Sequence, residues 1–320
     1  MSATTVRWSW LWMPLAFLIL GSTWVVASPV GSAPDDDYHL ASIWCAQGDR
    51  DAACLETGSS PAKYVVASGA INSGFCYATK PNVTGECANA ELNSTELFLT
   101  ERLNNVQHLY PGGYYSVQSI FVGTNVERSA FIMRMFNVFV TAVLLSLLIR
   151  VTPAGIRQGT LLTFVSVFTP LGMFVIASTN PSGWAIIGTL LTAAFGFSLM
   201  HRKSWRNRRT WLIAAGLMVS AAMAITSRVD SSAFTVVTVL LIFLLVGATK
   251  MKQQWIGSLL LVGIAIVGAY TYLVTTPLTE SGSLGSQQKD ADLFWTNLFN
   301  VPDLIQGIVG GWPLEIGRAH

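Results

Sequence analysis

Charge is what this sequence has least of: only 11% of its 320 residues are charged, against 52% hydrophobic residues and a mean hydropathy of +0.49. A soluble enzyme of this length cannot hide so much apolar surface, so the composition excludes that class and points to a polytopic membrane protein. The formal net charge is +2 and the basic residues form no stripe, which excludes a nucleic-acid partner. Cysteine is scarce as well. All four cysteines fall between residues 45 and 87, and no Cys-x-x-Cys spacing occurs, which argues against a zinc site. The later apolar runs are almost free of ionisable residues, and intramembrane charge is the usual mark of an ion or proton pathway. A secondary transporter is therefore disfavoured.

What is present is a series of apolar runs near 10–27, 130–149, 159–178, 184–200, 211–227, 233–248 and 255–275. Each is close to the length that crosses hydrocarbon, so the expected fold is an all-α polytopic membrane protein with about seven transmembrane helices. The first run reads either as a retained helix or as a signal peptide cleaved near Val26-Ala27-Ser28. Trp8, Trp10, Trp12 and Trp24, placed as interfacial anchors, favour the retained helix. Arg150, Arg157, Arg202, Lys203, Arg206, Arg208, Arg209, Lys250 and Lys252 lie in alternate loops, whereas the intervening loops hold only Arg228. By the positive-inside rule the N-terminus is cytoplasmic and the first loop external, and the Arg202–Arg209 cluster is a topology determinant.

The expected plan is a cytoplasmic N-terminus with helix 1 over residues 1–28 and an extracytoplasmic loop over 29–128. Helices 2–7 follow over 129–275, then an extracytoplasmic amphipathic segment over 276–314. Residues 315–320 resemble a translated sequencing adapter, which on that reading makes the chain a fragment.

Cys45, Cys54, Cys76 and Cys87 confined to one loop predict two disulfides formed in an oxidising compartment. Of three pairings, Cys45–Cys54 with Cys76–Cys87 is the simplest. Asn82-Val83-Thr84 and Asn93-Ser94-Thr95 fit the glycosylation pattern, which has no meaning in a bacterium without that machinery. The loop opens with Pro34-Asp35-Asp36-Asp37-Tyr38-His39. Ser32-Ala33-Pro34-Asp35 can be a capping box with acids in a first helical turn, which needs no ligand. Alternatively, Asp35 and Asp36 stand four and three residues before His39, so all three share a helix face. Carboxylates held together recruit Mg²⁺ or Mn²⁺, or one acts as general base toward a sugar hydroxyl. The residues alone leave both readings open.

Other candidates also have two readings. Arg134, one turn inside the outer end of the second span, snorkels outward either as an anchor or to hold a lipid phosphate. Tyr110, Tyr114 and Tyr115 form an interfacial belt or a platform for a sugar ring. Asn180-Pro181 is a turn between spans or part of the external site, and Arg228 with Asp230 is a surface pair or a phosphate ligand.

The order of these pieces resembles the membrane glycosyltransferases of the C superfamily. More closely, the chain is similar to the bacterial domain-of-unknown-function family 2142, usually grouped with them. The residues that carry the likeness are Pro34-Asp35-Asp36 with His39, Tyr110-Pro111-Gly112-Gly113-Tyr114-Tyr115, Arg134 with Asn137, Thr169-Pro170, Asn180-Pro181, and Arg228 with Asp230. Asp37 replaces a family proline and inherits no role, and Ser182 stands where the family has a carboxylate. The resemblance implies a bacterial plasma-membrane enzyme that takes a sugar from a polyprenyl-phosphate carrier and passes it to a cell-envelope glycan acceptor. It makes Asp35 or Asp36 the base, with His39 and the two acids around a divalent cation. Tyr110, Tyr114, Tyr115, Arg134, Asn137, Asn180, Arg228 and Asp230 would bind substrate. The competing expectation is a non-catalytic envelope-assembly or transport protein whose loop binds a glycan or partner.

Overall fold

The computed structural model describes residues 12–49, 54–59, 62–78, 80, 82–202, 204–282 and 299. The expected cytoplasmic stretch before Trp12, most of the amphipathic segment and the adapter-like end lie outside the described residues. Helix α1 (Trp12–Ala27) leads into α2 (Asp36–Trp44), strands β1 (Cys54–Glu56) and β2 (Tyr64–Ala67), and helices α3 (Ser68–Asn72) and α4 (Asn89–Leu92). Strand β3 (Leu97–Thr100) and the short helices α5 (Asn104–Gln107) and α6 (Gly113–Gln118) complete the loop. The bundle follows: α7 (Val126–Val151), α8 (Ala154–Val167), α9 (Pro170–Ile176), α10 (Ser182–Met200), α11 (Arg208–Ser227), α12 (Val229–Val246), α13 (Ala248–Gln253) and α14 (Trp255–Gly282).

Helix α7 shows why these runs become spans. Asn125 caps it by accepting from the Arg128 amide at 2.7 Å, Glu127 sits in the first turn and Arg150 in the last, so both dipole ends are complemented. Its 26 residues extend about 39 Å, ample for the hydrocarbon. Among the described residues five helices, α7, α10, α11, α12 and α14, are long and apolar enough to cross a membrane. The run expected at 159–178 is instead broken into α8 and α9, which meet at 93°. The cause is Thr169-Pro170: the proline cannot donate to α8 and begins α9, and Thr169 Oγ1 accepts from the Gly172 amide at 3.2 Å. Helix α1 has 16 described residues, about 24 Å.

Close packing organises the bundle. Helix α1 lies on α7 where a Cβ on Gly21 would stand 2.6 Å from Val138, and Phe17 stacks on Phe168 at 4.8 Å. Helices α10 and α11 approach at Gly188, where a Cβ would meet the Ala224 amide at 2.6 Å. Helices α12 and α14 sit at the margin, with Leu244, Leu245, Leu259 and Ile266 exposed on the surface that hydrocarbon covers.

The loop corrects the all-α expectation. It contains a three-stranded antiparallel sheet in the order β1-β2-β3, with Leu55 opposite Val65 and Val65 opposite Leu99. Its disulfides join nearest neighbours: Cys45–Cys54 ties the end of α2 to β1, and Cys76–Cys87 closes the next segment. Thiol titration of the folded protein should find no reactive cysteine. Replacing Cys45 and Cys54 together by Ser should lower the unfolding free energy by about 3 kcal/mol, read from thermal melts.

Candidate functional site

Helix α2 begins at Asp36, three residues later than a capping box with Ser32 as its N-cap would start it. Asp35 precedes it with φ 57, in the left-handed region that Asp tolerates better than most residues. This turns the neighbouring acids in opposite directions. Asp36 points inward and is 2% exposed, while the Asp35 side chain is 58% exposed.

Asp36 meets four donors. Oδ2 accepts from the Gly31 and Ala33 amides at 3.2 Å each and from Arg134 Nη2 at 3.2 Å, while Oδ1 accepts from Thr179 Oγ1. Arg134 also donates to the carbonyls of Ser28 at 2.8 Å and Pro29 at 3.2 Å. Asn180 Nδ2 donates to the Pro34 carbonyl at 3.1 Å, and its Oδ1 accepts from the Ser182 amide at 2.9 Å to start α10. The end of α1, the acid loop, α7 and the α9–α10 turn are thereby clamped together. Arg134 does not snorkel to the surface as expected: it is 2% exposed because the loop folds down over it.

Asn137, one turn below Arg134, is a second junction. Its Oδ1 accepts from Gln118 Nε2 at 2.6 Å and Trp184 Nε1 at 2.9 Å, and its Nδ2 donates to Tyr114 Oη at 3.2 Å and the Ser178 carbonyl at 2.8 Å. A primary amide offers little more, so Asn137 is satisfied by protein and not open to substrate.

The aromatic residues divide similarly. Tyr114 and Tyr115 are fully buried, and Tyr114 packs edge-on against Trp184 at 5.1 Å. Burial holds the Tyr115 hydroxyl well above its ordinary pKa. His39, also buried, shares a 2.9 Å hydrogen bond between Nδ1 and Tyr115 Oη. Burial, reinforced by the Arg228 and Arg102 guanidiniums, lowers its pKa from 6.5 to about 3, so His39 is neutral. Tyr110, half-buried, is the one tyrosine of the expected platform that reaches the surface.

Outside this layer lies a charged rim. Arg102 Nη2 donates to Asp35 at 2.9 Å and Nη1 to Asp37, and its guanidinium lies 5.6 Å from the Tyr38 ring centre. Arg102 was not recognisable from sequence, since a single arginine after a short strand has no local signature. Arg228 holds Asp230 through two hydrogen bonds of 3.0 and 3.2 Å, reaches Ser182 Oγ at 3.0 Å, and lies 5.5 Å from the Tyr110 ring centre. Below Arg228 a groove of about 670 Å³ runs between α10 and α12, lined by Ser182, Asp230 and Ser231 at its mouth and by Ile186, Leu190 and Phe234 further in.

The expected metal set of Asp35, Asp36 and His39 is not brought to one point. Among the described residues no group of three or more His, Cys, Asp and Glu is arranged to hold a metal ion. The donors around Asp36 do not suit Mg²⁺ or Mn²⁺, because a cation there would face a guanidinium and two amide protons.

These elements fall inside one family match. The sequence model of a family described as "Predicted membrane protein (DUF2142)" matches residues 18–294. The chain belongs to that family. No curated protein and no solved structure matches it. As a member of DUF2142 it is a membrane protein, and the match spans the acid loop, the Arg134 clamp and the groove.

Two outcomes test this geometry. Arg134→Met should destabilise the protein by about 3–5 kcal/mol by leaving Asp36 charged and buried, and adding Asp36→Leu should recover at least half of that loss in thermal unfolding. For His39 the folded pKa lies below the unfolded one, so its share of stability is present above pH 6.5 and is lost as pH falls toward 3. The slope should reach about 1.4 kcal/mol per pH unit. In His39→Gln this slope should disappear from the pH dependence of unfolding.

Proposed function

We propose that the protein is a membrane glycosyltransferase that moves a sugar from a polyprenyl-phosphate carrier to a cell-envelope acceptor, at the membrane face carrying the disulfide loop. The observation that carries this reading is the groove of about 670 Å³, apolar along the spans and headed by Arg228. Its chemistry suits a long hydrocarbon tail ending in a phosphate. Arg228 binds the phosphate, the tail lies between α10 and α12, and Tyr110 packs the sugar ring.

Asp35 is placed as the general base. It is exposed and bonded to Arg102, whereas both carboxylate oxygens of Asp36 accept from donors of the fold. Asp35 takes the proton of the acceptor hydroxyl as that oxygen attacks the anomeric carbon. The carrier phosphate leaves with the bonding pair, stabilised by Arg228, and the product is inverted. Asp36, Arg134, Asn137 and Asn180 hold the loop over the groove, and His39 with Tyr114 and Tyr115 supports Tyr110 from below.

The topology proposed with this is seven spans in a bacterial plasma membrane, counting α1 and the bent α8–α9 pair, with the N-terminus cytoplasmic. A second reading, a non-catalytic envelope protein, is favoured by one observation. Strand β3 forms an edge of the sheet with Leu97, Phe98 and Leu99 exposed, a surface able to pair with a partner strand.

Consumption of a lipid-linked sugar by the purified protein separates the two. Asp35→Asn should reduce turnover at least about 100-fold with the melting temperature unchanged. Arg228→Gln should raise the donor KM, and a chelator should leave the rate unaltered. Full turnover in Asp35→Asn would remove the base assignment, and no turnover by wild type with any lipid-linked sugar would favour the partner-binding reading.

A further inference from the structure

Helix α7 marks the level of the membrane along its own length. Arg128 near its start and Arg150 near its end stand 22 residues apart, about 33 Å, and Arg134 is the only charge between them. That separation is close to the hydrocarbon thickness, so the hydrocarbon boundary on the loop side lies near Arg128. Arg134 is six residues, about 9 Å, inside that boundary. Its side chain leans back toward the start of the helix, as helical side chains do, and holds the carbonyls of Ser28 and Pro29. The stretch that follows α1 therefore stands close to the boundary.

The segment closed by the Cys76–Cys87 disulfide is docked on that stretch. A Cβ on Gly74 would stand 2.7 Å from the Gly31 carbonyl oxygen, and a Cβ on Gly85 would stand 2.7 Å from the Pro29 ring. Between these two contacts Tyr77 Oη donates to the Val30 carbonyl at 2.6 Å. The segment is thus pressed at both ends and near its middle onto residues 29–31, which sets it at the level where hydrocarbon meets headgroups.

Its surface suits that level. Phe75, next to the packed Gly74, is 59% exposed, and Val83 is 41% exposed. Phe131 and Ile132, one turn below Arg128 on α7, are exposed in the same band, so the apolar surface is continuous in level with the lipid-facing side of the bundle. The backbone under Phe75 is closed on itself. The Phe75 amide donates to the Asn72 carbonyl at 3.0 Å and the Ala78 amide to the Gly74 carbonyl at 2.8 Å, while Lys80 Nζ donates to the carbonyls of Phe75 and Cys76 at 3.3 and 3.1 Å. A turn that enters lipid has to satisfy its backbone in this way, whereas water would satisfy it without help.

We propose that the Cys76–Cys87 segment is an interfacial anchor, with Phe75 and Val83 seated among the acyl chains of the loop-side leaflet. Its partner is the lipid surface itself, and a zwitterionic lipid is sufficient. The proposal is independent of the glycosyl-transfer reading. Because Gly74 packs on Gly31, the anchor also steadies the stretch whose Gly31 and Ala33 amides hold Asp36.

The test uses the full chain in phosphatidylcholine vesicles. All four native cysteines are in disulfides, so Phe75→Cys and Val83→Cys each offer a single thiol for a nitroxide label. At both positions oxygen, which concentrates in lipid, should quench relaxation more strongly than a water-soluble nickel chelate, as at Phe139→Cys on the exposed face of α7. Equal access for the two reagents would place the segment in water, and protection from both would place it against protein; either result overturns the proposal. Thermal melts check that each labelled variant is folded. Unlabelled wild type supplies a second measurement, since a lipid with a diazirine in its acyl chain should leave adducts between Ser73 and Ala88, and Phe75→Asp should lower their yield severalfold. Absence of adducts on wild type would overturn the anchor whatever the variants do.

Discussion

A carboxylate and a guanidinium taken together out of water set the terms for the rest of this molecule. Removing Asp36 and Arg134 from solvent carries a desolvation cost of several kcal/mol per ion, offset only if every remaining donor and acceptor finds a partner. The structure meets most of that demand with the Ser28 and Pro29 carbonyls, the Gly31 and Ala33 amides, and Thr179, leaving the buried Arg134 Nε without a hydrogen-bond partner among the described residues. These partners come from the stretch after α1 and from the turn before α10. Satisfying one ion pair therefore fixes the first helix, the loop, α7 and the α9–α10 turn relative to one another.

That constraint separates an inner polar layer from an outer one. The inner layer, with Asp36, Arg134, Asn137, His39, Tyr114 and Tyr115, is buried and its main polar groups are joined to one another or to backbone. It is well suited to holding a surface in place and poorly suited to exchanging protons with a ligand. The outer layer, with Asp35, Arg102, Tyr110, Arg228 and Asp230, has exposed atoms and charge that can be redistributed when an anion arrives. A sequence motif of adjacent acids is thus divided by one left-handed residue into a part that builds and a part that can react.

Most of the bundle was legible because hydrocarbon thickness dictates run length, and five of the apolar runs became unbroken spans. The nearest-neighbour cysteine pairs were legible too, since their separations of 9 and 11 residues favour local closure. The sharp bend at Thr169-Pro170 was not, because a proline shows where a helix stops and not how its continuation turns. The sheet escaped because strands of three and four residues show too little alternation. In the site, spacing alone placed Asp35, Asp36 and His39 on one face, and the positive φ at Asp35 undid it. Arg134 read as a surface group because the covering loop comes from residues about a hundred positions earlier, a contact no local pattern contains.

The reach of the Asp36 clamp also sets a timetable. Its partners Arg134 and Thr179 lie 98 and 143 residues further along the chain. During synthesis the acid loop is delivered to its side of the membrane well before either partner has been made, and its disulfides can close while Asp36 is still hydrated. Its last donor, Thr179, exists only after the α9–α10 turn has been made. The full set of partners for Asp36 therefore exists only once the chain through Thr179 has been made, when α10, α11, α12 and α14 are still to follow, so the acid loop is completed by a segment made long after its own disulfides could close.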